Sequence, residues 1–204
     1  TCNGLTLGGT ASYASLTARA FGLKVGIVTA CSANLPLHEL DGISIRRVDS
    51  EFTSTFQNIQ THTGRVQYIL HVAQSLTLED VPLAWRGTPI VHLAPLADEI
   101  SPDLALAFAH SLVGVTPQGW MRGWNEDGVV SFKGWSAAPQ VLPYLQAGVM
   151  SIEDVRGDEA IISNFASLLP ILVITEGANG ARVYWRGDCR YFRPPKEIEL
   201  DPIG

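Results

Sequence analysis

Three features of the sequence predict an α/β fold built around a parallel sheet. Short β-branched runs alternate along the chain with helical stretches of about ten residues, which is the rhythm of βαβ units. Hydrophobic residues fill 46% of the 204 positions and charged residues only 17%, below the usual ~25%, so the chain can bury a sheet on both faces. Length divided by roughly 150 residues gives one domain with room for a small accessory element. Fourteen Lys and Arg against 20 Asp and Glu leave a net charge of −6 without a basic cluster, which argues against a nucleic-acid footprint. No apolar stretch reaches the ~20 residues of a membrane span.

The elements follow in order. Ala11, Ala14, Ala18 and Phe21 recur at helical spacing after Gly9, and Gly22 stands where a helix cap belongs. Lys24–Thr29 is a short β-branched run and predicts a buried strand. Pro36–Leu40 reads as a helical turn ending near Gly42, and Ile43–Val48 as the next strand. The period then changes. Thr53–Thr61 and Arg65–Leu70 alternate apolar and polar around Thr63-Gly64, which predicts a hairpin with one wet face. Inside an otherwise buried pattern, the hairpin over 53–70 is expected to form a flap over one edge of the domain.

The α/β rhythm resumes with a strand at Ile90–Leu93, a helix at Pro102–His110 and a strand at Leu112–Thr116. Gln140–Gln146 is read as helical, Val149-Met150 as a short strand, and Asp158–Leu168 as a helix stopped before Pro170. Ile171–Thr175 is the clearest strand, and Ala181–Trp185 with Arg190–Phe192 flank a second hairpin turn. No repeat, low-complexity run or linker interrupts the chain, so residues 1–204 read as a single domain with a flap. Both ends read as cut. Gly8-Gly9 opens a helix with scarcely a strand before it, and Asp201-Pro202-Ile203-Gly204 is a turn signal directly after a strand-like approach. Thr1–Leu7 lacks the basic start and long apolar run of a signal peptide. Cys2, Cys31 and Cys189 are odd in number and far apart, which predicts reduced, packed thiols in a cytoplasmic protein.

In an open parallel sheet, ligands bind beyond the carboxyl ends of the strands, so the loops that follow strands are the candidates. Thr175-Glu176-Gly177-Ala178-Asn179-Gly180 holds two glycines three apart, which would let backbone N–H groups approach an anion; taken alone it reads more simply as a tight turn into the hairpin. Neither a dinucleotide fingerprint nor a P-loop is present. Ser151-Ile152-Glu153-Asp154 offers carboxylates that could hold Mg²⁺ through water, or simply start a helical turn. In Thr116–Arg122, Gln118 and Arg122 are polar side chains placed to reach a ligand. His38, His62, His71, His92 and His110 show no metal-binding spacing; His92 reads as a core-strand histidine and His110 as a helix end. No Ser or Cys sits on a nucleophile elbow.

The order of these loops resembles the PfkB (ribokinase-like) carbohydrate kinases. The resemblance rests on Gly8-Gly9 opening an Ala-rich helix that ends in Phe21-Gly22-Leu23-Lys24-Val25, then the flap hairpin, Val91–Leu96 and Pro117–Arg122. Met150–Asp154 is similar to the family's Asn-x-x-Glu segment, and Val173–Ala181 to its nucleotide strand and loop. Asp201-Pro202-Ile203-Gly204 matches the first half of the C-terminal signature Asp-Pro/Thr-x-Gly-Ala-Gly-Asp. What this implies is a three-layer α/β/α domain with a mainly parallel sheet and a small β lid. It also implies ATP- and Mg²⁺-dependent phosphorylation of a hydroxyl on a small sugar, polyol or nucleoside. By the same resemblance Gly8, Gly9 and Thr10 lie against the substrate with Gln118 and Arg122. Thr175, Glu176, Gly177 and Gly180 line the nucleotide, and Asp201 and Gly204 begin the anion hole. Ser151 and Asp154 stand at the metal positions, and the lid can pair two subunits into a homodimer.

The chain also departs from the family. The base that closes the signature falls beyond Gly204, Ser151 replaces the Asn of Asn-x-x-Glu, and the Asn often found after the double glycine is absent. The first-strand Asp that grips substrate hydroxyls is missing too. These departures leave a second reading, a non-catalytic nucleotide- or sugar-binding protein on the same fold.

Overall fold

The structure, a computed structural model, describes residues 6–62 and 64–194. Helix α1 (Gly9–Ala20) opens it and ends in a Schellman motif: the Leu23 N–H bonds the Ala18 carbonyl at 3.1 Å and the Gly22 N–H bonds that of Arg19 at 2.8 Å. Its buried side chains are Ser12 and Ser15 rather than the alanine stripe, and Phe21, expected on that stripe, is exposed. The physical reason is local. Each hydroxyl bonds a carbonyl of its own helix, Ser12 to Gly8 and Ser15 to Ser12, both at 2.9 Å, while Phe21 is the cap residue and has left the helical geometry.

Strand β1 (Gly26–Cys31) begins two residues later than the β-branched run suggested and pairs in parallel with β2 (Ser44–Asp49). Ile27, Leu40 and Ile43 form a small core there, against which Ala11 and Leu16 of α1 pack. The flap follows as β3 (Thr55–Thr61) and β4 (Gly64–His71), in register from Phe56↔Ile69 through Asn58↔Gln67 to Gln60↔Arg65. Those pairs share the face turned to the body, where Ile69 is buried. Ile59 (40% exposed) and Leu70 (51%) point outward.

The main sheet then assembles from β5 (Ile90–Leu93), β6 (Leu112–Val115), β9 (Ala147–Ser151), β10 (Ile171–Thr175), β11 (Ala181–Trp185) and β12 (Asp188–Phe192). Its six strands are mixed, in the order β12-β11-β10-β9-β6-β5; the four from β5 to β10 run parallel and the last two form the second hairpin. The helix expected over Pro102–His110 is one turn, α2 (Leu104–Ala107), with Ala105 and Phe108 buried in the core and Leu104 packed against it. The next, α3 (Ala138–Val141), tightens into a 3₁₀ turn at Leu142–Tyr144, where Pro143 has no N–H to continue the α-helical ladder. Helix α4 (Glu159–Leu168) is capped by Asp158, whose carboxylate accepts the N–H groups of Ala160 and Ile161. One further hairpin escaped the sequence pattern: β7 (Arg122–Trp124) and β8 (Val130–Phe132), three residues each around Asp127-Gly128. It is fastened to the flap, with the Ile69 N–H bonding the Gly128 carbonyl at 2.8 Å.

One face of the main sheet is covered. Leu93, Val113, Val115, Met150, Leu172 and Ile174 form the large core with Leu142, Leu145, Ile162, Phe165 and Trp120. The other face, where cover was also expected, stays open over the described residues, with Ile90 and Leu112 each 57% exposed. His92 has the parity of Ile90 and lies on that open face rather than in the core, its Nε2 3.3 Å from Thr116 Oγ1. His110 lies exposed beyond the end of α2. Cys31 is buried and free, and Cys189 is free and half-buried. Burial pushes the Cys31 thiol pKa up, which keeps it protonated and unreactive.

Leu142 is fully buried at the centre of the large core. Leu142→Ala is expected to cost about 3 kcal/mol, read as a lowered urea midpoint at unchanged m-value.

Candidate active site

The carboxyl ends of β5, β6, β9 and β10 lie along one rim because these strands are parallel. The rim is built from loops 94–99, 116–121, 152–156 and 176–180. After β9, Ser151 caps the 3₁₀ turn Ile152–Val155: its Oγ accepts the Glu153 N–H, while its own N–H donates to Asp154 Oδ2 at 2.8 Å. The other Asp154 oxygen accepts from Gln118 Nε2 at 2.6 Å. The predicted residues Ser151, Asp154 and Gln118 are thus brought into one network that ties the β6 loop to the β9 loop.

Arg122 stands beside it. Its Nη1 donates to the Leu96 carbonyl at 3.1 Å, and its guanidinium lies 4.8 Å from the centre of the Phe56 ring on the flap. Loop 94–99 is held by Glu99, whose carboxylate accepts the N–H groups of Leu96 and Ala97. The Leu96 side chain then closes on Gly9. That glycine has φ +82°, and a Cβ there would sit 2.9 Å from Leu96 Cδ1. Gly9 therefore meets, through Leu96, the loop that holds Arg122, and Gly8 and Thr10 flank it in the chain. Burial draws the Arg122 pKa down, opposed by Asp154 and Glu99 and reinforced by Arg65. Arg65, on the inner face of the flap, lies 3.6 Å from Glu153.

The turn after β10 is a neighbour of this network, since Thr175 pairs in register with Ser151. Within the turn the Glu176 N–H bonds the Gly180 carbonyl, that of Asn179 bonds Glu176, and that of Gly180 bonds Gly177. Gly180 has φ +97° and backs onto the Phe192 carbonyl so closely that a Cβ would collide with it. Gly177 and Ala178 are exposed at the tip. The Glu176 side chain turns away from the rim: only 17% exposed, it lies 2.7 Å from Nε of Arg182, though that N–H is not aimed at it. Arg182 in turn makes two 2.9 Å hydrogen bonds to Glu159. Asp201 and Gly204 lie outside the described residues.

Phe56, Arg65, Leu96, Glu99 and Glu153 went unnoticed in the sequence. The alternation of the hairpin gave Phe56 and Arg65 opposite parities on paired strands, but only the register puts them on one face. Among the described residues no group of three or more His, Cys, Asp or Glu could hold a metal ion, and both Asp154 oxygens already accept hydrogen bonds. This donor set suits a cation met through water, not one ligated by the protein.

No family model matches the chain, and no curated protein sequence matches it. Solved structures do match in shape. A pyrophosphate-dependent kinase of the ribokinase family, complexed with a pyrophosphate analogue and myo-inositol, superposes with a TM-score of 0.75 at 21% identity over 95% of this chain and 72% of that one. The fold is that of the ribokinase-family kinases. A nucleoside kinase from Burkholderia thailandensis in complex with inosine gives 0.72 at 16% identity, over 98% of this chain and 69% of that one. The ribokinase of Arabidopsis thaliana complexed with ribose and ATP gives 0.62 at 13%, over 96% and 69%. Among the described residues of this ribokinase-like fold, no helix is long and apolar enough to cross a membrane.

Arg182 is the buried partner of two carboxylates, Glu176 and Glu159. Arg182→Met should cost about 3 kcal/mol, because it leaves Glu176 enclosed without a cation. The Arg182 hydrogen bonds hold the Glu159 carboxyl below its ordinary pKa. A depressed folded-state pKa contributes stability above the unfolded value and loses it as pH falls through the folded one, so this contribution should fade below about pH 4. Denaturant titrations at stepped pH should show that loss in the parent protein and not in Arg182→Met.

Proposed function

We propose that the protein is a kinase that transfers the γ-phosphate of ATP to a hydroxyl of a small sugar, polyol or nucleoside. The observation that carries this reading is that, on a ribokinase-like fold, Gly9, Gln118 and Arg122 of the predicted substrate residues lie along one rim that the flap touches through Phe56. The bend at Gly8-Gly9, the Thr10 turn, Gln118 and Arg122 would hold the acceptor. Thr175, Gly177 and Gly180 would run along the donor phosphates, with the exposed main chain at the tip of the turn nearest to them. Glu176 acts from behind that turn, through Arg182. Asp201 and Gly204 would open the anion hole, and the resemblance places the catalytic base three residues past Gly204.

Phosphoryl transfer asks mainly for positioning and charge neutralisation, which this arrangement can supply. The donor, when bound with Mg²⁺, supplies the activated phosphoryl group; Ser151 and Asp154 would meet the cation through water. Solved neighbours with an ATP complex and with pyrophosphate dependence make both donors worth assaying. The outward residues Ile59 and Leu70 support a homodimer formed through the lid. We place the protein in the cytoplasm on the strength of its free cysteines.

Ser151, whose hydroxyl serves as a cap, favours the second reading of a binding protein without turnover. An assay of the full natural polypeptide separates the two, with ATP or pyrophosphate offered alongside a panel of sugars, polyols and nucleosides. Donor consumption with at least one acceptor is expected, and Gln118→Ala should lower kcat/KM about 100-fold. Donor binding without phosphorylation of any panel member would decide for the binding protein.

A further inference from the structure

We propose that Glu99 is the positioning residue of this rim: acting through the peptide unit between Leu96 and Ala97, it sets the Arg122 guanidinium and the bend at Gly9. What the rim then holds rests on the kinase reading. Arg122 is half-buried, and among the described residues no carboxylate forms an ion pair with it. Its Nη1 donates instead to the Leu96 carbonyl at 3.1 Å. That carbonyl and the Ala97 N–H belong to one planar trans peptide, so they point in opposite directions. The Ala97 N–H donates to Glu99 Oε2 at 2.6 Å. Carboxylate, peptide and guanidinium thus form one hydrogen-bonded line. The negative end of the peptide dipole meets the cation and the positive end the anion, and each charge-assisted bond strengthens the other. Asp154 and Glu99 both oppose the lowering of the Arg122 pKa by burial.

The loop turns this carboxylate back over its own main chain. Asp98 stands at φ +61°, a left-handed conformation that a non-glycine residue keeps only where its surroundings hold it. Lys133, directly after β8, supplies the hold: its Nζ lies 2.7 Å from Asp98 Oδ2, and its own N–H bonds the Met121 carbonyl at 2.7 Å. Glu99 thereby reaches the Leu96 N–H as well, at 2.9 and 3.1 Å from its two oxygens. With the amides on both sides of the Leu96 Cα fixed, the Leu96 carbonyl serves Arg122 and the Leu96 side chain meets Gly9. Arg122 in turn carries the Phe56 ring of the flap at 4.8 Å. Two branches therefore leave Glu99, one to the start of α1 and one through Arg122 to the flap. A glutamine here would keep the shape but offer one acceptor oxygen to two N–H groups, with its own NH₂ facing a donor.

Hydrogen exchange of the full natural polypeptide reads both branches without a ligand. Glu99→Gln should speed exchange about ten-fold in peptides covering residues 9–16 and 55–71, and leave residues 171–185 of β10 and β11 unchanged. Lys133→Met, at a half-exposed ion pair, should give the same pattern at about three-fold, and it stands in if Glu99→Gln fails to fold. Faster exchange confined to residues 94–99, or spread equally over all segments, marks a plain loop cap and overturns the proposal. Kinetics add a split that a merely structural role would not give. With ribose, myo-inositol and inosine offered as acceptors and ATP or pyrophosphate as donor, Glu99→Gln should raise the acceptor KM about ten-fold at nearly unchanged kcat and donor KM. An unchanged acceptor KM, or an equal rise in the donor KM, overturns the proposal. If the parent protein phosphorylates none of the three, the kinase reading loses, and the exchange pattern still decides the role of Glu99.

Discussion

The rim is held in shape by the carboxylate of Asp154. One oxygen accepts a side-chain amide from the loop after β6 and the other a backbone N–H from the end of β9, so two loops from neighbouring parallel strands are fixed by a single residue. A carboxylate with both oxygens engaged by neutral donors is held as a rigid hinge pin, and its charge still acts on Arg122. Gln118 is thereby set four residues before Arg122, on a short 3₁₀ turn that starts at Pro117. The position of Arg122 on the floor follows from that turn. The position of the lid follows from Arg122, since Phe56 rests on its guanidinium.

The flap is a two-sided object. Its inner face passes from Phe56 and Ile69 near the base to the Asn58–Gln67 amide pair, hydrogen-bonded at 2.9 Å, and on to Arg65. The flap is thus apolar at its root and polar toward its tip. Its fastening at Gly128 makes β7 and β8 part of the same moving or resting unit. Arg122, as the first residue of β7, then couples the floor of the rim to that unit twice, through its chain and through Phe56.

The fold was legible where a short period met a clear stop. Ile171–Thr175, bounded by Pro170 and the glycine turn, was found residue for residue, and so were Ile90–Leu93 and Ala181–Trp185. Helices were less legible, because α2 and α3 are one turn each and draw their stability from Ala105, Phe108, Ala138 and Val141 packing inward, not from propensity. The hairpin of β7 and β8 has strands too short for period two to register. At the site, polar residues directly after strands could be picked out, and Gln118, Arg122, Ser151 and Asp154 do share the rim. What could not be read was partnership. Glu99 binding loop N–H groups, or Arg65 crossing from the lid to Glu153, depends on a register and a loop path that no local pattern specifies.

Glu176 shows how the same limit reshapes a functional assignment. By sequence it belongs to the donor turn; by structure its carboxylate lies under that turn against Arg182, which reaches on to Glu159 at the start of α4. With Arg182 and Glu176 enclosed and Glu159 exposed, the triad is a poor source of net stability, since desolvation of the inner pair and solvent screening of the outer one offset most of the attraction. Its advantage is directional. Arg182 lies in β11, Glu176 in the turn after β10 and Glu159 in the first turn of α4, so the triad fixes three elements against one another at the edge of the rim. The glycine turn must keep a backbone shape that Gly177 and Gly180 alone would leave loose, and the charge beneath it selects that shape. Glu176 thus belongs to the turn after β10 as the residue that ties it to β11 and, through Arg182, to α4.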